Sequence, residues 1–144
     1  MPRDVLVIDD EPKVRRALRS LFEDRGCRVT AVGSAHELQQ LREPAADVLL
    51  LDLKLGDASG LELLPRLRQR FPRSRLIVIS ALSDEPTIRQ AMLSGADDYM
   101  VKPFDFARCF STAMGLPALD APTAASLPPA MAGADAARAL RARA

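Results

Sequence analysis

Five polar residues follow directly after short, mostly apolar segments of the sequence, and their types suit the handling of a phosphoryl group. These residues are Asp9 and Asp10 after residues 4–8, Asp52 after residues 48–51, Ser80 after residues 75–79, and Lys102 after residues 98–101. Clustered carboxylates form a hard oxygen site that suits Mg²⁺ and leaves coordination positions for phosphoryl oxygens. An aspartate can itself accept a phosphoryl group, while an ammonium and a hydroxyl neutralise the transferred charge. The set therefore predicts Mg²⁺-assisted phosphoryl chemistry, provided that the fold brings these residues together.

Each of these residues also has a purely structural interpretation. Adjacent acids such as Asp9 and Asp10 repel each other and are costly unless a cation neutralises them. Acids near a helix N-terminus, however, are favourable without any ion. Lys102 can screen the acids as a structural ion pair, and Ser80 can be an ordinary loop serine. The interpretation depends on whether the segments before these residues lie side by side.

Five strand patterns alternate with five helix patterns along the chain, which predicts an α/β protein. Pro12 suits the first turn of the first helix, and Ser34 with Glu37 matches a capping box for the second. Parallel strands need helical, right-handed crossovers, so we predict a single doubly wound, five-stranded parallel sheet with helices on both faces. Alternation alone does not determine the strand order. The flavodoxin-like order 2-1-3-4-5 would place the first and third strands side by side and gather the polar residues at the carboxyl ends of the strands.

The composition is typical of a small globular domain, with 144 residues, 48% hydrophobic and 27% charged, and a formal net charge of +1. This charge gives no electrostatic reason to bind nucleic acid or an anionic membrane. The apolar runs are too short to cross a bilayer, and the N-terminus lacks the apolar core of a signal peptide. Cys27 and Cys109 have neither CxxC spacing nor a histidine cluster, and the single histidine, His36, is expected at the surface. We therefore expect a cytoplasmic protein that contacts neither membrane nor nucleic acid through this chain.

Residues 4–114 resemble the response-regulator receiver domains of bacterial two-component signalling systems. The resemblance depends on four motifs that occur in order along the chain. They are Val7-Ile8-Asp9-Asp10-Glu11, Leu51-Asp52-Leu53-Lys54-Leu55 with Ser59-Gly60, Ser80-Ala81, and Gly95-Ala96-Asp97-Asp98-Tyr99-Met100-Val101-Lys102-Pro103-Phe104. Each motif alone is weak, but all four at these spacings are specific.

The resemblance implies the flavodoxin-like strand order 2-1-3-4-5, and with it a role for the residues at the strand ends. Asp52 would be the phosphoacceptor, which takes a phosphoryl group from the phosphohistidine of a sensor histidine kinase or a histidine phosphotransfer protein. Mg²⁺ would be bound by Asp10, Asp52 and the backbone carbonyl of Lys54, with Asp9 acting through water. Lys102 would pair with a phosphoryl oxygen, and its peptide bond to the following proline would be cis.

The resemblance also implies a conformational switch. Ser80 would move to hydrogen-bond the phosphoryl group, and Tyr99 would swing inward into the space that Ser80 leaves, although a strand tyrosine can also be plain packing. Phosphorylation would then shift a two-state equilibrium at the face of the fourth helix, fifth strand and fifth helix. The same face could support a homodimer. The first helix carries four basic residues, which would either help to dock the kinase or form a solvated face. These residues are Lys13, Arg15, Arg16 and Arg19.

Two alternatives and two departures accompany the resemblance. A pseudo-receiver, which keeps the fold as an interaction module without the chemistry, is disfavoured by the complete set of site residues. A haloacid-dehalogenase-type phosphatase would have a second aspartate two residues after Asp52, where this sequence has Lys54. Gly56 stands where many receivers have proline, and Ser80 replaces the commoner threonine while keeping its hydroxyl.

The composition changes near the end of the chain. We assign residues 1–115 to the receiver domain and residues 116–144 to an Ala/Pro/Arg-rich linker or disordered tail. No helix-turn-helix, winged-helix or zinc-finger sequence is present, so we predict no DNA-binding effector. The chain is expected to be a stand-alone receiver or the N-terminal part of a longer regulator, with an unidentified output partner. In either case we expect a signalling phosphoacceptor that catalyses its own phosphorylation and dephosphorylation, rather than a conventional enzyme.

Overall fold

The computed structural model describes residues 3–42 and 44–116. Strands and helices alternate, with two very short strands inserted after the third. The elements are β1 (Asp4–Ile8), α1 (Pro12–Glu23), β2 (Arg28–Val32), α2 (Ala35–Gln40), β3 (Val48–Asp52), β4 (Lys54–Leu55), β5 (Ala58–Ser59), α3 (Gly60–Arg70), β6 (Arg75–Ser80), α4 (Glu85–Leu93), β7 (Asp98–Val101) and α5 (Phe106–Ala113). The expected tail, apart from its first residue, lies outside the described residues.

The main sheet has five strands in the order β2-β1-β3-β6-β7, and each neighbouring pair is parallel. In terms of the five predicted strands this is the order 2-1-3-4-5, so the predicted doubly wound, flavodoxin-like sheet is confirmed. The sequence predicts only a loop after Asp52. The structure instead has an antiparallel hairpin there, because β4 and β5 pair with each other outside the main sheet.

The two faces of the sheet bury separate apolar clusters. Helices α1 and α5 cover one face, where Phe22 and Cys109 pack with Leu50. Helices α2, α3 and α4 cover the other, where Leu64 packs with Leu51. All five residues of β3 are buried, since this strand has a neighbour on each side and helices above and below. This explains its uninterrupted apolar sequence, and it places Asp52 at the end of the most buried strand.

Local capping groups set where several helices begin. Pro12 opens α1, as predicted, and the Ser34 hydroxyl accepts a hydrogen bond from the backbone N–H of Glu37 at 3.1 Å. The second half of the predicted capping box differs. The Glu37 carboxylate accepts from the N–H of Gly33, one residue before the N-cap, at 3.2 Å. Its side chain thus ties the turn before α2 to the helix.

The described helices are short. None of the helices within residues 3–42 and 44–116 combines the length and the apolar character needed to cross a membrane.

Cys109 and Cys27 are both free thiols, but Cys109 is buried and Cys27 is partly exposed. Burial against the sheet raises the pKa of Cys109 from 9.0 to about 12. We expect a native maleimide reaction to modify Cys27 and spare Cys109, with both thiols modified after denaturation, as measured by intact mass. The unfolded Cys109 thiol ionises first, so the stability that its burial contributes is complete below pH 9 and lost as the pH rises toward 12. Equal reaction rates for the two native thiols would contradict this expectation.

Candidate functional site

Parallel pairing brings the predicted site residues to one end of the sheet. In the register of β1 and β3, Ile8 lies beside Leu51, so Asp9 emerges next to Asp52. On the other side, Ser80 at the end of β6 pairs with Val101, and Lys102 follows directly. All of these positions lie at the carboxyl ends of neighbouring strands, which is where open α/β sheets bind ligands.

Four carboxylates meet at this end of the sheet. One oxygen from each of Asp9, Asp10, Glu11 and Asp52 lies within 4.8 Å of the others. Asp9 is fully buried and Asp52 is 4% exposed, whereas Asp10 is half-buried and Glu11 is exposed. Buried acids this close repel unless a cation neutralises them. A set of hard oxygen ligands with one open side fits a divalent cation that retains water.

Lys102 provides one positive charge inside this cluster. Its ammonium lies 2.9 Å from Asp9, 3.1 Å from Glu11 and 3.1 Å from Asp52, and its side chain is 15% exposed. Burial by itself would lower the pKa of Lys102, but the hydrogen bonds and charges of Asp9 and Asp52 outweigh it and raise that pKa above its usual range. Lys102 is therefore charged at any physiological pH. It follows β7, and its contacts link the end of this strand to the ends of β1 and β3.

Asp9 is only partly compensated by this lysine. Burial raises its pKa above the usual value, against the hydrogen bonds that its carboxylate accepts from the Glu11 N–H and from Lys102, and the nearby charge of Asp52 raises it further. Four carboxylates share the one ammonium that lies among them in the described part of the chain, so the acid cluster is short of positive charge. Both the burial of Asp9 and this imbalance of charge favour a bound cation.

The hairpin after β3 contributes backbone donors. The N–H of Lys54 donates to Asp52 Oδ1 at 3.2 Å, and the N–H of Gly56 donates to Asp10 Oδ2 at 3.0 Å. Gly56 has a φ of 60°, in the left-handed region that favours glycine. A proline there could neither adopt this φ nor donate the hydrogen bond. The departure noted at Gly56 therefore gives this hairpin a direct contact with an acid of the site.

The side chains of Ser80 and Tyr99 both form hydrogen bonds with the backbone of Leu82. The Ser80 hydroxyl accepts from the N–H of Leu82 at 3.1 Å, and the Tyr99 hydroxyl donates to the Leu82 carbonyl at 2.6 Å. Ser80 is 1% exposed and Tyr99 is 2% exposed, so the tyrosine ring already points inward. Burial raises the pKa of the Tyr99 hydroxyl, which remains a neutral donor. The loop between β6 and α4 is thus attached to both predicted switch residues.

The structure brings together most of the residues singled out from the sequence. Lys102 contacts both Asp9 and Asp52, and the peptide bond between Lys102 and Pro103 is cis, as the resemblance implied. Glu11, which ends the first motif, is not among the predicted site residues, although it directly follows the two aspartates and pairs with Lys102. Gly56 stands out in the sequence only as a departure from the commoner proline, and its hydrogen bond to Asp10 is not predicted, because every residue except proline has a backbone donor.

Comparison with known proteins gives a consistent result. The family model of the response regulator receiver domain matches residues 5–113. The transcriptional regulatory protein KdpE of Mycobacterium tuberculosis is 46% identical over 101 residues, which are 69% of this chain and 44% of that protein. The alginate biosynthesis transcriptional regulatory protein AlgB of Pseudomonas aeruginosa is 37% identical over 100 residues, 69% of this chain and 22% of that protein. The chain therefore spans less than half the length of these curated relatives.

Solved structures of similar fold include activated and phosphorylated receivers. The BeF3-activated DrrB receiver domain has a TM-score of 0.75 at 25% identity and covers 80% of this chain and 97% of its own. A response regulator from Burkholderia pseudomallei, solved with a phosphorylated aspartic acid, calcium ion and citrate, has a TM-score of 0.73 at 29% identity and covers 77% and 66%. The beryllofluoride-activated NtrC4 receiver domain dimer has a TM-score of 0.72 at 26% identity and covers 78% and 93%.

Proposed function

We propose, since this chain belongs to the response-regulator receiver domain family, that it takes a phosphoryl group onto Asp52 in a Mg²⁺-dependent reaction. The donor would be the phosphohistidine of a sensor histidine kinase or a histidine phosphotransfer protein. One observation carries the proposal. Asp52 is an almost buried carboxylate within 4.8 Å of three other acids, and the ammonium of Lys102 lies 3.1 Å from it. That arrangement supplies a nucleophile, a cation site and a fixed positive charge at one point.

Each residue has a distinct part in the proposed transfer. Asp10, Asp52 and the carbonyl of Lys54 would hold the metal ion, with Asp9 acting through water. Mg²⁺, when bound, supplies charge neutralisation to the phosphoryl oxygens. A carboxylate oxygen of Asp52 forms a bond to phosphorus as the phosphorus–nitrogen bond of the donor breaks, and the released imidazole nitrogen takes a proton. Hydrolysis reverses the modification, since water attacks phosphorus and releases inorganic phosphate and the free carboxylate.

Lys102 and Ser80 would respond to the new group. The ammonium of Lys102, which contacts three carboxylates here, would pair with a phosphoryl oxygen and keep the site compact. The Ser80 hydroxyl would break its hydrogen bond with the Leu82 N–H and donate a hydrogen bond to another phosphoryl oxygen. Tyr99 would move into the space that Ser80 leaves, and because its hydroxyl donates to the Leu82 carbonyl, it would couple this movement to the loop before α4. The modification would thereby change the surface formed by α4, β7 and α5.

This surface and α1 are the proposed contact regions. The α4–β7–α5 surface would bind an output partner or a second copy of the chain, as a dimer is known for the NtrC4 receiver. The exposed side of α1, which carries Lys13 and Arg16, would face the kinase. We assign residues 1–115 to the receiver and residues 116–144 to a linker or tail, and we infer a cytoplasmic location from the phosphohistidine donor and the free thiols.

A pseudo-receiver receives no support from the site. Such a module would not need a buried acid beside a second one, because the pair costs stability unless a cation binds. Here Asp9 and Asp52 are both buried, and Lys102 contacts both.

The proposal is tested by intact mass after incubation with Mg²⁺ and acetyl phosphate. We expect the wild-type chain to gain the mass of one phosphoryl group, in a bond that is cleaved by base and survives acid. Asp52→Ala should gain nothing. Asp57→Ala is the matched control, because Asp57 is an exposed acid in the adjacent hairpin turn and should leave the reaction unchanged.

Two explanations would account for a missing adduct in the wild type: the adduct forms and is hydrolysed quickly, or it does not form. A second measurement separates them. Beryllofluoride mimics the phosphoryl group and is not hydrolysed. Saturable beryllofluoride binding in the presence of Mg²⁺ would show that the adduct forms and is lost quickly. No binding would refute the proposed function.

A further inference from the structure

Each of the four polar groups of Asp9 forms a hydrogen bond with another residue. Its N–H donates to the Val32 carbonyl at 3.1 Å, and its two carboxylate oxygens accept from the Glu11 N–H at 2.8 Å and from Lys102 at 2.9 Å. Its carbonyl accepts from the guanidinium of Arg15 at 2.8 Å. The first three contacts come from the sheet, the turn and the site itself. The fourth comes from α1, a helix that contributes no other side chain to the acid cluster among the contacts described above.

The Arg15 guanidinium reaches this carbonyl through space that Gly33 leaves open. A Cβ atom at position 33 would lie 2.7 Å from Arg15 Nη1 and 3.2 Å from its Cζ. The next nearest atom, Glu37 Oε1 at 3.4 Å, also lies at the end of a flexible side chain, so a methyl group would displace side chains and leave the main chain in place. Gly33 lies outside the left-handed φ region, which means that alanine suits its backbone. The guanidinium therefore occupies the space beside Gly33, and the backbone of the turn does not itself demand glycine.

We propose that Arg15 and Gly33 act together as positioning residues for Asp9, so that the turn between β2 and α2 tunes the Mg²⁺ affinity of the acid site. The guanidinium holds the carbonyl of Asp9, and this fixes the direction in which the carboxylate of the same residue points. Residues that surround the direct ligands of a metal ion commonly change its affinity when they are removed or misplaced, and Asp9 would be such a residue because it acts through water. The inference rests on the proposed Mg²⁺ site, but the Arg15 contact itself does not require the metal.

Three variants test the inference by isothermal titration with Mg²⁺ and by amide hydrogen exchange without it. Gly33→Ala adds one methyl group and changes no charge, so an effect on binding comes from the side chains that it displaces, which are the Arg15 guanidinium and, at 3.4 Å, Glu37 Oε1. The comparison with and without Arg15 separates these two contributions. We expect Gly33→Ala to weaken Mg²⁺ binding by about three- to tenfold, the range for one lost hydrogen bond. Arg15→Met removes the guanidinium and its charge. The double variant asks whether Gly33→Ala still matters when there is no guanidinium to displace.

The double variant gives the decisive result. We expect Arg15→Met and Gly33→Ala/Arg15→Met to bind Mg²⁺ equally, which shows that the glycine acts only through the arginine. In the metal-free protein the Glu11 amide, which donates to Asp9 Oδ1, should exchange about three- to tenfold faster in Gly33→Ala than in the wild type, while the melting temperature changes little.

Other outcomes overturn the inference. Wild-type Mg²⁺ affinity and wild-type Glu11 exchange in Gly33→Ala would show that Arg15 does not position Asp9. So would an equal effect of Gly33→Ala with and without Arg15. A wild-type chain that binds no Mg²⁺ would refute the proposed function instead, and the Glu11 exchange rates would then still decide whether Arg15 and Gly33 hold Asp9.

Discussion

Lys102→Met is expected to destabilise the metal-free protein by about 3 kcal/mol, because it leaves Asp9 and Asp52 buried without their shared ammonium. Saturating Mg²⁺ should recover much of this loss, since a cation that binds only the folded state stabilises it. Phosphorylation by acetyl phosphate should be about 100-fold slower even with Mg²⁺ present, as a fixed charge next to the transferred group is missing. Urea denaturation with and without Mg²⁺, and intact mass against time, measure the two effects.

Two controls separate this site effect from a general loss of charge. Lys13→Met removes an exposed lysine of α1 and should change the free energy of unfolding by less than about 0.5 kcal/mol. Asp9→Asn in the Lys102→Met background should restore stability, because it removes a fully buried carboxylate whose pKa is raised by burial. If Lys102→Met were as stable as the wild type without metal, the lysine would not be the charge that holds the acids together.

Gly60→Ala is expected to destabilise the protein by about 2 kcal/mol, although alanine normally favours a helix. A Cβ atom at this first residue of α3 would lie 2.6 Å from the backbone oxygen of Asp52 and 2.7 Å from the Cα of Leu53. These are main-chain atoms of the segment that carries the phosphoacceptor, so the backbone has to move. We expect phosphorylation by acetyl phosphate to slow about tenfold or more, since the misplaced carboxylate no longer meets the donor correctly.

Ser59→Ala is the matched control for this substitution. Ser59 is the adjacent residue, and its side chain makes no capping hydrogen bond within the described part of the chain. It should therefore leave both stability and phosphorylation close to wild type, as measured by thermal unfolding and intact mass. A neutral Gly60→Ala, or an equal loss in Ser59→Ala, would show that the close approach of α3 to Asp52 is not a constraint.

The sequence by itself determined the class of fold and most of the site. Short apolar segments alternating with helical patterns admit few arrangements other than a parallel sheet, because parallel strands require crossovers of one hand. Asp9, Asp52, Ser80 and Lys102 each follow such a segment, so any parallel sheet places them at the same edge. The strand order was predicted only through the family resemblance, since alternation does not specify which strands are neighbours.

The tertiary structure decided which groups hold these residues in place. Glu11 shares Lys102 with the aspartates, Gly56 donates its N–H to Asp10, and Arg15 reaches the Asp9 carbonyl past Gly33. These contacts depend on a loop φ, a backbone donor and the space beside a missing Cβ. None of these quantities follows from hydrophobic periodicity, because periodicity reports which face of an element is buried and not where a turn or a long side chain points.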